Sequence, residues 1–251
     1  MTRASVCMAT YNGEKFLSEQ LDSILIQIGP FDEIIVVDDC SKDRTLDILR
    51  GYTDHRIRLY VNEKNMGFWR TFEKAIDLAQ GKHIVLSDQD DIWTDGRLEK
   101  MCQTLDNNPG LVSSNFCYVN SDGRPIVISA LPSLKEDESL NHTSNIVRLF
   151  IGKMQYFGSA MAFSSQLREI LLPFPKYLET HDHWIAIAAN LSGMNRHIED
   201  ITLKRRIHGN NVSLADRKHS AKLYSRYVFA IQTFELVRRI YFTCRPAGRS
   251  P

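Results

Sequence analysis

Apolar and polar positions along the first hundred residues follow one another as a succession of short strands and helices. Ala4, Val6 and Met8 alternate into Thr10-Tyr11-Asn12-Gly13, a strand ending in a turn. Phe16, Leu17, Leu21, Ile24, Leu25 and Ile28 recur at helical spacing until Gly29-Pro30 stops them. Ile34-Ile35-Val36-Val37 is a continuous apolar run, the composition of a parallel strand buried on both faces. Leu46, Ile48 and Leu49 begin a short helix, and Ile57 to Val61 alternates as a third strand. Asn65-Met66-Gly67 makes a turn, Phe68, Phe72, Ile76 and Ala79 mark a third helix closed by Gly81, and His83 to Ser87 forms a fourth strand. Four alternations of strand and helix predict an α/β fold with helices on both faces of a mostly parallel sheet.

The second half changes character. Leu98, Met101 and Leu105 form a helix stopped by Asn107-Asn108-Pro109-Gly110, and Leu111 to Val119 then Asp122-Gly123 predict a strand and tight turn. Residues 124–145 are polar and pattern-poor, which predicts a long loop able to order over a site. Phe157 to Phe163 is a small-residue strand in which glycine permits close backbone approach. Thr180 caps a helix beginning His181-Asp182-His183-Trp184, and Ile201 to Ile207 alternates into His208-Gly209-Asn210-Asn211-Val212-Ser213. Tyr224, Tyr227, Val228, Ile231, Phe234 and Tyr241 then recur at near-helical spacing beside Arg226, Arg238 and Arg239. That segment is either a helix packed on the domain or in a homodimer, or a basic amphipathic helix on an anionic membrane surface.

At 251 residues and 43% hydrophobic the chain can bury a substantial core. The net charge of +1 does not point to nucleic acid, although eight Lys/Arg against two acids from Asp216 onward make the tail basic. Five scattered cysteines without metal or CxxC spacing suggest reduced thiols. With neither a signal-peptide core nor 18 uninterrupted apolar residues, the expected location is cytoplasmic, peripheral to the inner membrane face at most.

The stretch Ser87-Asp88-Gln89-Asp90-Asp91-Ile92-Trp93 carries the strongest chemical signal. Three carboxylates in four positions after a buried strand repel one another unless a cation sits among them. A hard divalent ion, completed by substrate phosphates and water, suits such a cluster. The plainer alternative is a solvated turn with Asp91 or Thr94 capping the next helix. Thr10 to Gly13, Asp38-Asp39, Asn65 and Asp88 to Asp90 each follow a strand, and open parallel sheets bind ligands at the carboxyl ends of their strands. All four groups therefore converge on one edge. There Asp38 or Asp39 can accept hydrogen bonds from a nucleobase or ribose, and Tyr11 offers a ring for stacking. Asp88 and Asp90 can hold a metal bridging a diphosphate. Tyr11 as a core-edge aromatic, and the two aspartates as turn acids, stay open. Asp182 is the acid/base candidate, although an acid in a first helical turn also complements the macrodipole. His181 and His183 read as satisfied histidines, Trp184 as core, and His208 as a metal ligand or a structural histidine.

These motifs, in this order, resemble family 2 glycosyltransferases of the GT-A fold, from Ser5 to about Ser213. The matching segments are Ala9 to Gly13, Val36 to Thr45, Asn65-Met66-Gly67, Asp88-Gln89-Asp90-Asp91, His181-Asp182-His183-Trp184 and Arg206-Ile207-His208. The wording Ser-Asp-Gln-Asp-Asp-Ile-Trp with a His-Asp-x-Trp helix is similar to the branch often labelled rhamnosyltransferase-like. The resemblance implies a GT-A-type Rossmann-like sheet: a glycosyltransferase domain over 1–215, with a nucleotide-binding part over about 1–110 and an acceptor-side part over about 111–215, then a helical tail over 216–251.

By that resemblance Thr10, Tyr11, Asn12, Asp38, Asp39, Asn65 and Asp88 hold the nucleotide, and Asp90 and His208 hold Mg2+ or Mn2+. Asp182 is the base that deprotonates the acceptor hydroxyl, with Gly158, Ser159, His181 and Trp184 on the acceptor side. The implied reaction is inverting transfer of one sugar from a nucleotide-diphosphate donor, dTDP-rhamnose or a UDP-sugar, to a saccharide or lipid-linked acceptor. His181 stands where many members carry an acid, and the QxxRW motif of processive synthases is absent. A non-catalytic nucleotide-sugar-binding scaffold and a nucleotidyltransferase are the competing readings. The latter normally wants a glycine-rich, basic phosphate loop, which Thr10 to Gly13 is not.

Overall fold

The computed structural model describes residues 2–128, 131–209 and 219–243. Asn210 to Ser213, expected as the end of the last motif, and the expected boundary at 215/216 lie outside the described residues.

The first half forms β1 (Ala4–Thr10), α1 (Leu17–Leu25), β2 (Asp32–Asp38), α2 (Thr45–Gly51), β3 (Ile57–Val61), α3 (Phe68–Leu78) and β4 (His83–Ser87). β3, β2, β1 and β4 lie side by side and parallel, with Thr10 opposite Asp38 and Met8 opposite Ser87. That register brings the ends of β1, β2 and β4 to one edge, as the apolar runs predict. Adjacent side chains along a strand point to opposite faces, and the core divides accordingly. Cys7, Ile35, Val37, Ile84 and Leu86 pack on one side with Phe72 and Ile76 of α3. Val6, Met8, Ile34, Val36 and Val85 pack on the other with Leu17, Leu21 and Ile24 of α1.

Beyond β4 come β5 (Ile92–Trp93), α4 (Arg97–Asn107), β6 (Leu111–Val119), β7 (Pro125–Ile126), α5 (His142–Phe150), β8 (Met161–Ser164), α6 (Ser165–Leu171), α7 (His181–Leu191), β9 (Asn195–Arg206) and α8 (His219–Thr243). β8 inserts antiparallel between β4 and β6, β9 runs parallel to β6, and β5 closes the edge against β9. The sheet is thus mixed, and it runs without interruption across the expected division near residue 110.

Several expectations for this half need correction. The segment 124–145 is not one long loop: it contains β7, a 3-10 turn at Glu136–Glu138 and the start of α5. Its anchor is polar, since the Asn115 side chain accepts from the Leu134 amide (2.8 Å) and donates to the Leu134 carbonyl (3.0 Å). A buried amide pair of this kind leaves no hydrophobic period to read. The expected strand from Phe157 begins instead as a 3-10 turn over Gly158–Ala160 and becomes β8 only at Met161. The last strand starts six residues earlier than Ile201, with a bulge where Asn115 meets it. Thr180 stands at the helix N-terminus, but its hydroxyl makes no cap and is buried without a partner among the described residues.

α8 is helical as expected and packs on α6 and α7, with Phe229 and Leu236 joining the core cluster. Its opposite face stays exposed and apolar, so the basic amphipathic description is incomplete. Among the described residues no helix is long and apolar enough to cross a membrane.

Candidate active site

The loop after β1 is held from three sides. Asn12 adopts φ 49°, donates its amide to Ser41 Oγ (2.9 Å) and accepts from the Lys42 amide (2.8 Å). Gln89, between the acidic residues, accepts from the Tyr11 amide (2.9 Å) and donates to the Tyr11 carbonyl (3.1 Å). Gly13 makes this fit: a β-carbon there would fall 2.3 Å from Gln89 Oε1. Pinned by its own backbone, Tyr11 keeps its side chain 45% exposed at the strand edge.

Thr10 and Asp38 face inward. Asp38 is fully buried and accepts from the Thr10 hydroxyl (2.9 Å), the Ser41 hydroxyl (2.6 Å) and the Ser41 amide (2.8 Å). Neither has surface to offer a nucleoside, which corrects that expectation: the turn after β2 needs the carboxylate for its own amides. Asp39 is almost as enclosed, accepting from Asn62 (2.9 Å) and from the amides of Met66 and Gly67 (2.8 Å each). It shapes the turn that carries exposed Asn65, whose Oδ1 also accepts from the Gly67 amide (3.1 Å).

At the end of β4, Asp88, Asp90 and Asp91 each bring a carboxylate oxygen within 4.8 Å of the others. Burial, then mutual repulsion, pushes Asp90 up to about 7 and Asp91 up to about 8. Asp88 is raised too, by burial first, with Asp182 adding to the rise and Arg205 opposing it. Asp91 Oδ1 accepts from the Arg206 amide (3.0 Å), while Asp91 Oδ2 is buried with no hydrogen-bond partner among the described residues. Three crowded, oxygen-only groups with raised pKa values and an orphaned oxygen fit a hard divalent cation. Asp88 and Asp90, the more accessible pair, are placed to ligate it; Asp91 lies deeper.

His208 joins this group from beyond β9, its Nε2 2.8 Å from Asp90 Oδ2 and its ring on Phe16 at 4.9 Å. Burial, with Lys15 and Arg206 nearby, lowers its pKa and favours the neutral imidazole. Arg206 ties the group together, donating to the Asp90 carbonyl (3.0 Å) and to Glu19 (2.6 Å). Arg205 lies 4.0 Å over the Phe157 ring. Arg97, wholly buried, donates to the Ser159 carbonyl (2.6 Å) and to Thr202 Oγ1, and stacks on Trp93 at 4.9 Å.

The opposite wall is the first turn of α7. Asp182 is partly exposed, and its Oδ1 lies 3.2 Å from His181 Nε2 at an angle that makes no hydrogen bond. The His181 ring packs against Phe72 (4.4 Å) and Phe68 (6.0 Å). Gly158 abuts both residues, so the Gly158–Ala160 turn borders Asp182 directly. Trp184 does not belong here. It is fully buried, donates to the Leu171 carbonyl (3.0 Å) and lies under Arg239, so its acceptor-side assignment is corrected to core. Two positions after Asp182, it points to the other side of the helix, about 200° away and into the core.

Gln89, Asp91 and Arg206 sit inside motifs that sequence reasoning singled out, yet their tasks are tertiary pairings. Arg97 carries no sequence signal, being one basic residue at the start of a polar helix.

The model of Glycosyl transferase family 2 matches residues 5–171. The chain belongs to this family. A relative covering most of the chain is the uncharacterized glycosyltransferase MJ1057 of Methanocaldococcus jannaschii, 32% identical over 89% of the chain and 77% of its own length. WfgD of Escherichia coli, a UDP-Glc:alpha-D-GlcNAc-diphosphoundecaprenol beta-1,3-glucosyltransferase, is 33% identical over 47% of each. TuaG of Bacillus subtilis is 34% identical over 55% of the chain. The chain spans about half the length of the last two, 47% and 57%. Among solved structures, S. aureus TarS 1-349 with UDP-GlcNAc superposes with TM-score 0.71 at 21% identity, covering 92% of this chain and 66% of that one. The mannosyltransferase PcManGT of Pyrobaculum calidifontis, in complex with GDP-Man and Mn2+, superposes with TM-score 0.59 at 22% identity, covering 99% and 66%. The family 2 fold here is the GT-A type, an α/β architecture on a mixed central sheet.

Proposed function

We propose that this family 2 protein transfers a single sugar from a nucleoside-diphosphate donor to a hydroxyl of a saccharide or lipid-linked acceptor, in cell-surface polysaccharide synthesis. The observation that carries the reading is one edge shared by three parts. Exposed Tyr11 stands on one side, the Asp88–Asp90–Asp91 cluster in the middle, and Asp182 on the other. Residues of about 1–110 form the nucleotide side and those of about 111–215 complete the acceptor side.

Tyr11 stacks on the base, and the turn ordered by Asp39, with Asn65 and Asn12, walls the nucleoside. Asp88 and Asp90, with neutral His208, hold a divalent ion, Mg2+ or Mn2+. When bound, it supplies positive charge where the departing diphosphate becomes negative. Asp182 accepts the proton of the acceptor hydroxyl as that oxygen bonds to the anomeric carbon. The bond to the diphosphate breaks with its electron pair, and a single displacement from the opposite face inverts the centre. Gly158 leaves room beside the base, whereas Ser159, as buried as Thr10, supports the Asp88 carboxylate from within and offers the acceptor no surface, a correction to its expected role.

A UDP- or dTDP-linked donor draws support from the UDP-sugars named for WfgD and TarS and from the rhamnosyltransferase-like wording of residues 87–93. A thermal-shift panel of UDP-, dTDP- and GDP-sugars with Mn2+, Mg2+ or EDTA tests the reading. One nucleotide class should raise the midpoint, and EDTA should abolish the rise. Stabilisation by no donor would argue for a scaffold instead.

A further inference from the structure

The exposed face of α8 carries Leu223, Tyr227, Ala230, Phe234, Val237 and Tyr241, all at the surface, with Phe234 73% and Tyr227 64% exposed. Their spacings run four, three, four, three, four, which is a coiled-coil seam. The buried positions Val228, Phe229, Gln232 and Leu236 lie on the opposite face, against the domain. Tyr224 and Phe242, also exposed, lie to one side of this seam together with Arg238.

The order of sizes identifies the occupant. If a second α8 runs antiparallel with the twofold axis level with Gln232, Leu223 meets the partner's Tyr241. Tyr227 then meets the partner's Val237, and Ala230 the partner's Phe234. Every ring faces an aliphatic side chain, as interdigitated packing requires. A parallel pair in register would set ring against ring at 227, 234 and 241 and leave 230 against 230. Charges agree with the antiparallel arrangement. Arg226 flanks the partner's Ile240, and Arg238 flanks the partner's Tyr224, where guanidinium over ring is favourable. No two arginines face each other. A twofold interface must be self-complementary in this way, and the seam spans about 27 Å of helix.

We infer that α8 is an antiparallel homodimerisation helix and that its exposed seam is covered by the α8 of a second copy of this chain. The proposal is independent of the chemistry proposed above. It is tested on the full chain by sedimentation velocity at micromolar concentration, with trans cross-linking in a background where Cys40, Cys117 and Cys244 are serine. The expected results are a species of twice the monomer mass, and a disulfide between chains bearing Tyr227→Cys and chains bearing Val237→Cys only when the two are mixed. Phe234→Glu, on an exposed position, should give a monomer with unchanged far-UV circular dichroism whose thermal midpoint no longer rises with protein concentration. A monomeric wild type, or self-cross-linking of either single-cysteine variant alone, overturns the proposal. So does flotation of a monomeric wild type with phosphatidylglycerol vesicles that Phe234→Glu abolishes, which would assign the seam to a membrane.

Discussion

Gly158 lies so close to His181 that a β-carbon on it would fall 2.5 Å from the imidazole Nε2 and 3.1 Å from Asp182 Oδ1. The first contact is closer than β-carbons tolerate. His181 cannot yield easily, because its ring also packs against Phe72 and Phe68. The glycine therefore positions the proposed base rather than merely sparing space for an acceptor.

Gly158→Ala should displace the first turn of α7 and with it Asp182. Overpacking of this kind costs about 1–3 kcal/mol, and a shift near 1 Å at a reacting group costs roughly 100-fold in rate. We expect kcat to fall by about that factor while donor KM stays near wild type. Comparable kcat in the two proteins would detach Gly158 from the chemistry.

Asp182→Asn keeps the shape of the turn and removes the proton acceptor. Donor binding should persist, and transfer should fall by about 10²–10⁴-fold, the usual share of a general base. Isothermal titration with donor alongside an initial-rate assay separates the two. Full transfer in the variant would remove Asp182 from the mechanism.

The carboxylate cluster makes stability depend on pH in a direction opposite to that of ordinary aspartates. Asp90 and Asp91 titrate near 7 and 8 in the folded chain and near their ordinary value when unfolded. Between those values the folded state binds more protons, so stability falls as pH rises from about 4 to about 8. Mn2+ should reverse the loss at the upper end by pairing with the ionised forms. Asp91→Asn should flatten the metal-free slope. Chemical denaturation from pH 6 to 9, with and without Mn2+, reads both effects, and a metal-free stability that rises over this range would contradict the clustering.

Gln89→Ala should loosen the loop that presents Tyr11, because both backbone groups of Tyr11 lose their partner. Each hydrogen bond of this kind is worth about 1 kcal/mol, so donor KM should rise about tenfold with little change in kcat. In a double-mutant cycle with Tyr11→Ala the two effects should not add; simple additivity would place Gln89 outside the donor site.

Arg97 holds the Ser159 carbonyl from beneath, and Arg97→Met would leave that oxygen unpaired in the interior. We expect a loss of about 1–3 kcal/mol in folding stability and a lower kcat. Arg97→Lys should rescue part of the stability but not the fork that spans Ser159 and Thr202. Equal behaviour of the two variants would mean that charge alone matters there.

The sequence by itself determined the parallel half of the sheet, because a buried strand must be apolar throughout and Ile34 to Val37 and Ile84 to Leu86 can be little else. It also determined that polar loops follow those strands, so Thr10 to Gly13, Asp38-Asp39, Asn65 and Asp88 to Asp90 could be expected on one edge from the sequence. The tertiary structure decided which of these residues face outward. Asp38 and Thr10 satisfy each other inside a turn, and Trp184 turns into the core, although their sequence positions are as suggestive as those of Tyr11 and Asp182. It decided, too, the elements held by polar pairs, such as the Leu134 segment on Asn115, and the buried support from Arg97. Hydrogen bonds between residues distant in the chain leave no period in the sequence, whereas burial of apolar faces does. The edge was therefore legible in one dimension, and its wiring only in three.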